Sequence, residues 1–209
     1  FVDVMGCGKT MIQMTVERFA PLCPIQNFWV VTSASYIDIV REQLPGIPAE
    51  NILAEPCARN TAPCIAYACW KIKTRHPSAN IVVTPSDALV TDVDEFRRVI
   101  GEALAFTAEG QRIVTLGIRP TRPETGYGYI QAHVDEEGDF KPVKTFTEKP
   151  NLELAKVFVN SGEFFWNSGV FMWSVKTIDA AFREFLPEIS QKFESGMDNM
   201  NTENEQSFI

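Results

Sequence analysis

The chain has 209 residues, of which 45% are hydrophobic and 22% are charged, and its formal net charge at pH 7 is −8. This length and composition are typical of a globular protein with a sizeable core, while the acidic balance argues against a nucleic-acid or anionic-membrane surface, which needs clustered Lys and Arg. No apolar run approaches the ~20 residues of a membrane span, and no secretory signal shows in these residues, so we expect neither a nucleic-acid nor a membrane partner.

The first 118 residues alternate between helical and strand patterns. Helices are predicted over residues 10–19, 35–44, 61–75 and 92–107, and strands over 28–31, 51–54, 81–85 and 113–118. Such alternation predicts an α/β fold with a mixed, mostly parallel sheet and helices on both faces.

The pattern changes after Pro120. Residues 126–131 and 144–147 are predicted to form paired strands, followed by a helix over 151–161, a strand over 169–174, a helix over 176–186 and a loop over 197–204. We predict one domain over residues 1–209, with one part before about residue 118 and a second part after it.

Gly6-Cys7-Gly8-Lys9-Thr10 partly matches the phosphate-binding loop G-x-x-x-x-G-K-[ST]. Asp3 stands where that motif requires its first glycine, and no strand precedes it. We interpret the segment as a turn and a helix cap.

Five cysteines form an odd set without a C-x-x-C pair, and the chain has only two histidines. This pattern disfavours both a zinc site and a disulfide framework. Reduced thiols in a cytoplasmic protein fit best.

Two polar turns in the first half follow predicted strands, where open α/β sheets bind ligands. The turn from Glu55 to Pro63 is either a plain helix-capping loop or a reader of a base or ribose, because capping alone does not call for Glu55 and Arg59. Ser86-Asp87 by itself is better explained as a helix-entry loop, since one carboxylate seldom makes a magnesium site.

Two polar segments in the second half also allow two interpretations. Glu148 and Lys149 leave the end of a strand in opposite directions, able to bind sugar hydroxyls and a phosphate, or they form an exposed charged pair. Trp166-Asn167-Ser168-Gly169 is either a turn or a polar wall.

Taken together and in order, these segments resemble the sugar-phosphate nucleotidyltransferases. The motifs that carry the resemblance are Glu55-Pro56-x-x-Arg59-Asn60-Thr61-Ala62-Pro63, Pro85-Ser86-Asp87, Gly117-x-x-Pro120-Thr121-x-Pro123-x-Thr125-Gly126-Tyr127-Gly128-Tyr129-Ile130, Phe146-x-Glu148-Lys149-Pro150 and Trp166-Asn167-Ser168-Gly169. They span nearly the whole chain, which makes the set far more specific than any one motif.

The resemblance implies a Rossmann-like nucleotide-diphospho-sugar transferase fold that joins GTP and mannose 1-phosphate into GDP-mannose and pyrophosphate. By similarity, Asp87 is a Mg²⁺ ligand, and Asp87 and Lys149 are the catalytic residues. The implied nucleotide-binding residues are Glu55, Arg59, Asn60, Thr61, Ala62, Pro63 and Ser86, and the implied sugar-phosphate-binding residues are Tyr127, Gly128, Glu148, Lys149 and Asn167. We therefore expect the part up to about residue 118 to bind the nucleotide and the part from about 119 to 209 to bind the sugar phosphate.

The sequence also departs from the family. Its glycine-rich triphosphate loop is expected before Phe1 and its second metal-binding Asp after Ile209, so we expect the chain to be a fragment, and Ala88 stands where the family usually has His. Two alternatives stay open: a related enzyme with another sugar 1-phosphate or nucleotide, and a non-catalytic nucleotide-sugar-binding regulatory paralogue. A homo-oligomer and a carboxyl-terminal isomerase region are open as well.

Overall fold

The computed structural model of the chain describes residues 1–55 and 60–209 and has a mixed α/β fold, as predicted. Helices α1 to α8 span Met11–Phe19, Ile37–Gln43, Thr61–Arg75, Val93–Ala108, Leu152–Ser161, Val175–Phe185, Pro187–Ser195 and Glu205–Phe208. Strands β1 to β7 span Val30–Ser33, Ile52–Glu55, Asn80–Val83, Ile113–Ile118, Tyr129–Ala132, Val143–Thr147 and Phe164–Ser174.

The chain divides into two compact units. Unit 1 comprises Phe1–Ile113 together with Met172–Ile209, and unit 2 comprises Val114–Phe171. The assignment of nucleotide binding to residues before about 118 and of sugar-phosphate binding to residues after it stays a prediction.

In unit 1, β1 and β2 are parallel neighbours, with Val30 opposite Ile52 and Ser33 opposite Glu55. The apolar residues Ile12, Val40, Leu44, Ile47 and Ile52 form one buried cluster beside this pair. Burial of one such side chain stabilises the fold by roughly 1.5–3 kcal/mol, so the cluster anchors β2 at its first residue, Ile52.

A second core in unit 1 joins α3 to α6 and α7. The Trp70 ring lies 5.5 Å from the Phe182 ring and 5.4 Å from the Phe193 ring, and its side chain is fully buried. The sequence pattern predicted that Pro187 ends a helix and missed α7 altogether. Pro187 occupies the first turn of α7, where the missing proline N–H costs no helical hydrogen bond.

Unit 2 is built on β5, which is antiparallel to both β6 and β7, and β4 also pairs with β7. Tyr129 lies opposite Thr147 on one side and opposite Trp166 on the other. β7 begins at Phe164, five residues before its predicted start at Gly169, so the segment 166–169 lies within a strand and is not a turn.

Candidate functional site

The glycine-containing segment near the start of the chain is a self-contained turn, as the sequence indicated. The Asp3 carboxylate accepts hydrogen bonds from the backbone N–H groups of Gly8 at 2.6 Å and Cys7 at 3.1 Å. Thr10 precedes α1, and its N–H donates to Gln13 Oε1 at 2.9 Å, which is half of a capping box. The N–H groups that a phosphate loop would offer to a ligand are therefore occupied by Asp3.

The first predicted ligand-binding turn lies between β2 and α3. Burial raises the pKa of Glu55 at the end of β2. Asn60 is exposed and has φ +66° and ψ −172°, a backbone conformation that is rare outside glycine and is enriched at functional sites. Thr61, Ala62 and Pro63 form the first turn of α3.

A plain capping loop explains this turn only in part. The Asn60 side chain makes no capping hydrogen bond to α3, although Asn is a favoured cap residue. Among the described residues of the turn, the amide of Asn60 is thus available to a ligand. Arg59, with Pro56, Cys57 and Ala58, lies outside the described residues.

The loop that follows β3 carries Ser86 and Asp87 with both residues exposed. Its backbone is hydrogen-bonded to α1. Thr15 Oγ1 donates to the Ser86 carbonyl at 3.3 Å, and Arg18 Nη2 donates to the Ala88 carbonyl at 3.1 Å. Arg18 is 5% exposed, and burial lowers the pKa of its guanidinium. Asp87 therefore sits on a short stretch of backbone held on both sides.

The Asp87 carboxylate suits a magnesium site in which most of the ligands come from the substrate and from water. Mg²⁺ commonly takes one or two protein carboxylates and completes its shell with phosphate oxygens and water. In residues 1–55 and 60–209, this carboxylate has no ion-pair or hydrogen-bond partner, and no group of three His, Cys, Asp or Glu side chains could hold a metal. As a single protein carboxylate, Asp87 fits a Mg²⁺ only where phosphate oxygens and water complete the shell.

In unit 2, strand register brings three of the predicted residues together. Because Tyr129 lies opposite both Thr147 and Trp166, the preceding Gly128 meets the residues that follow them, Glu148 and Asn167. The Asn167 N–H donates to the Gly128 carbonyl at 2.8 Å.

Gly128 is where an added Cβ would lie 3.0 Å from Glu148 Oε2 and 3.6 Å from Asn167 Cβ. The absence of a side chain therefore leaves room for the carboxylate beside the backbone.

The Asn167 side chain is oriented by its own strand. Its Oδ1 accepts a hydrogen bond from the Gly169 N–H at 3.0 Å, and Gly169 has φ +73°, which glycine adopts without a steric penalty. With the carbonyl oxygen engaged, the NH₂ group of Asn167 is left to donate to a ligand. Together with the Glu148 acceptor, it provides the donor and acceptor pair that a sugar diol requires.

Glu148 and Lys149 do not leave the strand in opposite directions, as strand alternation had suggested. Lys149 has φ +37°, outside the extended region, and its Nζ lies 3.7 Å from Glu148 Oε1. The left-handed conformation breaks the alternation and brings the two charges to one side. Both side chains are well exposed, at 64% for Lys149 and 75% for Glu148, so the pair is open to a ligand.

Two arginines that support the site, Arg122 and Arg18, were not found from the sequence. Arg122 lies over the Trp166 ring at 5.4 Å, and the predicted Tyr127 packs edge-on against the same ring at 5.4 Å. Arg18 was also missed, although the buried side chains of α1 include Ile12, Thr15 and Arg18, each three residues apart. Thr15 and Arg18 are polar residues on the buried face of α1. This pattern was the available signal that the helix hydrogen-bonds to another segment of the chain.

A cavity of about 800 Å³ lies elsewhere in unit 1. Its walls include Val31, Cys64, Ile72 and Ile81, and none of the described site residues lines it. No carboxylate occurs among the described residues of its wall, so this apolar cavity suits a metal–triphosphate poorly. We therefore take the strand ends of unit 1, and not this cavity, as the candidate ligand-binding part of that unit.

The four described cysteines, Cys7, Cys23, Cys64 and Cys69, are free thiols. Burial raises the pKa of Cys64 to about 11 and that of Cys69 to about 12, so neither is a ready thiolate nucleophile. Every helix within residues 1–55 and 60–209 is too short or too polar to cross a membrane.

Comparison with known proteins shows to which family the chain belongs. The sequence profile of the nucleotidyl transferase family matches residues 1–208. The chain belongs to this family. The resemblance found in the motifs is thereby confirmed.

Several relatives of this nucleotidyl transferase have names that refer to a mannose phosphate. A mannose-1-phosphate guanylyltransferase from Escherichia coli is 36% identical over 200 residues, covering 92% of this chain and 43% of that protein. The chain spans about 40% of the length of the curated relatives it matches.

Solved structures are similar over most of the chain. A mannose-1-phosphate geranyltransferase from Thermus thermophilus matches with a TM-score of 0.85 and 30% identity, covering 96% of this chain and 57% of that one. A mannose-6-phosphate isomerase from Helicobacter pylori matches with a TM-score of 0.77 and 25% identity, covering 91% and 71%. The nucleotide-diphospho-sugar transferase fold is therefore confirmed.

Proposed function

We propose that this nucleotidyl transferase joins GTP and mannose 1-phosphate to give GDP-mannose and pyrophosphate. The observation that carries the proposal is the row formed by Gly128, Glu148 and Asn167, which presents a carboxylate, an amide NH₂ and an open backbone side by side. This combination suits the adjacent hydroxyls of a sugar. The names of the relatives, described above, supply the choice of mannose and guanosine.

The reaction needs positioning and charge stabilisation more than acid–base chemistry. A phosphate oxygen of mannose 1-phosphate is already a nucleophile; it attacks the α-phosphorus of GTP, the bond to the bridging oxygen breaks, and pyrophosphate leaves with that oxygen. The obstacle is the repulsion between two polyanions. The exposed Lys149 ammonium is suited to hold the sugar phosphate and to stabilise the charge that develops during attack.

The nucleotide is assigned to polar groups of unit 1. Asn60, whose amide makes no helix cap, and Glu55 at the end of β2 can hydrogen-bond to the base and ribose, with Thr61, Ala62, Pro63 and Ser86 as the adjoining wall. Arg59 is proposed in the same role on its sequence motif alone.

Asp87 is proposed to hold Mg²⁺ together with phosphate oxygens and water. When bound, the ion supplies positive charge to the phosphates. The chain's own part is to hold the backbone that carries the carboxylate, through the hydrogen bonds from α1 to the carbonyls of Ser86 and Ala88. The free thiols support a cytoplasmic enzyme, which we also propose.

The test is a turnover assay of the full-length protein with GTP, mannose 1-phosphate and Mg²⁺. Pyrophosphate release that depends on both substrates, with GDP-mannose identified by mass, is the expected result. A panel with ATP, UTP and glucose 1-phosphate sets the specificity. Turnover only with another pair would replace the substrates proposed here, and binding without turnover would point to a regulatory protein.

Replacing Lys149 with alanine should weaken mannose 1-phosphate binding and spare GTP. A charge-assisted contact is worth enough that the KM for mannose 1-phosphate should rise roughly 10- to 100-fold. Lys156→Ala is a matched control, because Lys156 is also an exposed lysine of unit 2 that pairs with a neighbouring glutamate, Glu153, at 2.8 Å. An equal rise in both KM values for Lys149→Ala would refute the assigned role.

A further inference from the structure

The Tyr129 hydroxyl ties two parts of the chain together. It donates to the Glu124 carbonyl at 2.9 Å and accepts from the Glu124 N–H at 3.0 Å. The Tyr129 ring is fully buried and packs 5.3 Å from the Phe158 ring. A rigid, buried phenol thus satisfies both backbone groups of one residue and closes the turn over residues 124–128.

The Glu124 carboxylate organises the same turn from its outer side. Its Oε1 accepts the backbone N–H groups of Thr125 and Gly126, each at 3.0 Å, and its Oε2 pairs with Arg122 Nη2 at 3.0 Å. These contacts hold the pKa of Glu124 below its usual range, chiefly through the Gly126 N–H. The Arg122 guanidinium in turn lies over the Trp166 ring.

The closed turn ends at Gly128, which is the backbone proposed to face the sugar. Tyr127 at its tip packs against Trp166, and Gly128 follows directly, between Glu148 and Asn167. Opening the turn would let Gly128 move away from these two side chains.

We propose that Tyr129 is a positioning residue: its two-way hydrogen bond to Glu124 fixes Gly128 in the sugar-phosphate site. Tyr129 itself is fully buried, so its effect on the ligand is indirect. The inference rests on the proposed function for the identity of the ligand.

Tyr129→Phe is the direct test, because it removes one oxygen atom and keeps the buried ring. We expect the KM for mannose 1-phosphate to rise about tenfold, as the loss of a buried hydrogen bond predicts, with the KM for GTP unchanged. Glu124→Ala removes the second support of the turn without altering the core, and it should raise the same KM selectively.

Tyr67→Phe provides a matched control. Tyr67 is also a buried tyrosine, and its hydroxyl donates to Glu205 at 2.5 Å in unit 1. Its loss should lower the melting temperature and leave the ratio of the two KM values unchanged. If Tyr129→Phe behaves in the same way, the residue is merely structural and the positioning role is overturned.

A second readout separates this inference from the proposed function. Amide hydrogen exchange at Glu124, whose N–H loses its acceptor, and at Thr125 and Gly126 in the same turn should become faster in Tyr129→Phe and stay unchanged in Tyr67→Phe. Wild-type protein that releases no pyrophosphate would refute the proposed function, and the exchange data would still decide whether Tyr129 closes the turn. Unchanged exchange in Tyr129→Phe would overturn the inference.

Discussion

Asp87→Ala should reduce turnover at saturating substrates by roughly 100- to 1,000-fold, comparable with the loss of a preorganised group that stabilises transition-state charge. Asp87 is exposed, has no protein partner within residues 1–55 and 60–209, and lies on a loop anchored to α1. Its removal therefore should not disturb the fold. The measurement is the initial rate of pyrophosphate release over a Mg²⁺ titration, together with the melting temperature.

Two further variants make the Asp87 experiment decisive. Asp87→Asn keeps the size of the side chain and removes the charge, so it should lose most of the activity if the carboxylate binds the metal. Asp38→Ala removes a fully exposed carboxylate of α2 that pairs with Arg41 at 3.6 Å, and it should leave the rate unchanged. Wild-type Mg²⁺ dependence in Asp87→Asn would exclude the ligand role.

The second large effect concerns stability. Glu205 of α8 is 7% exposed, and its carboxylate accepts hydrogen bonds from Lys71 Nζ at 2.7 and 2.8 Å, from the Tyr67 hydroxyl at 2.5 Å and from the Asn201 N–H at 2.6 Å. Glu205→Ala would leave the Lys71 ammonium buried without its counter-charge. Breaking a buried pair in this way costs about 3–5 kcal/mol of unfolding free energy.

Urea denaturation at neutral pH measures this loss. Glu203→Ala, two residues away and exposed, is the matched control and should unfold like wild type. If Glu205→Ala loses less than about 1 kcal/mol, the value of an exposed pair, the Lys71–Glu205 contact does not persist in solution.

The same contact predicts a pH dependence. Burial raises the pKa of Glu205, but hydrogen bonds from Lys71, Tyr67 and Asn201 outweigh burial and leave it below the ordinary value of 4.5. A carboxyl with a lowered folded-state pKa stabilises the protein above its unfolded-state pKa and loses that contribution as the pH falls through the folded-state value. The difference between wild type and Glu205→Ala should therefore shrink only below about pH 4.5.

The sequence predicted the main elements of the fold because their signals are local. Residues 61–75 and 113–118 were predicted to the residue, since helical spacing and a proline stop define the one and a compact apolar run the other. The start of β7 was missed because Phe164, Phe165 and Trp166 gain their strand partners from β5, which no local pattern reveals. Pro187 was read as a stop, although proline at a first turn begins a helix equally well.

In the candidate site, too, the residues with a local sequence signal were predicted, and the geometry set by distant segments was not. Motifs alone named Gly128, Glu148 and Asn167, and the register of three strands explains why they meet. Lys149 could not be oriented from the sequence, because its positive φ reverses the direction that alternation assigns. Tyr129 was quoted only as part of a motif, since its role depends on one hydroxyl that reaches back five residues to Glu124.

The attachment of the Asp87 loop to α1 bears on how this site tolerates sequence change. Arg18 donates a hydrogen bond to the Ala88 carbonyl oxygen, a backbone atom that every amino acid carries. Because the acceptor is a backbone atom, alanine at position 88 retains this hydrogen bond, and other side chains there would leave the acceptor in place. If Asp87 holds Mg²⁺ as proposed, substitutions at Thr15 or Arg18, which hydrogen-bond to the backbone on either side of it, would change the Mg²⁺ dependence of turnover.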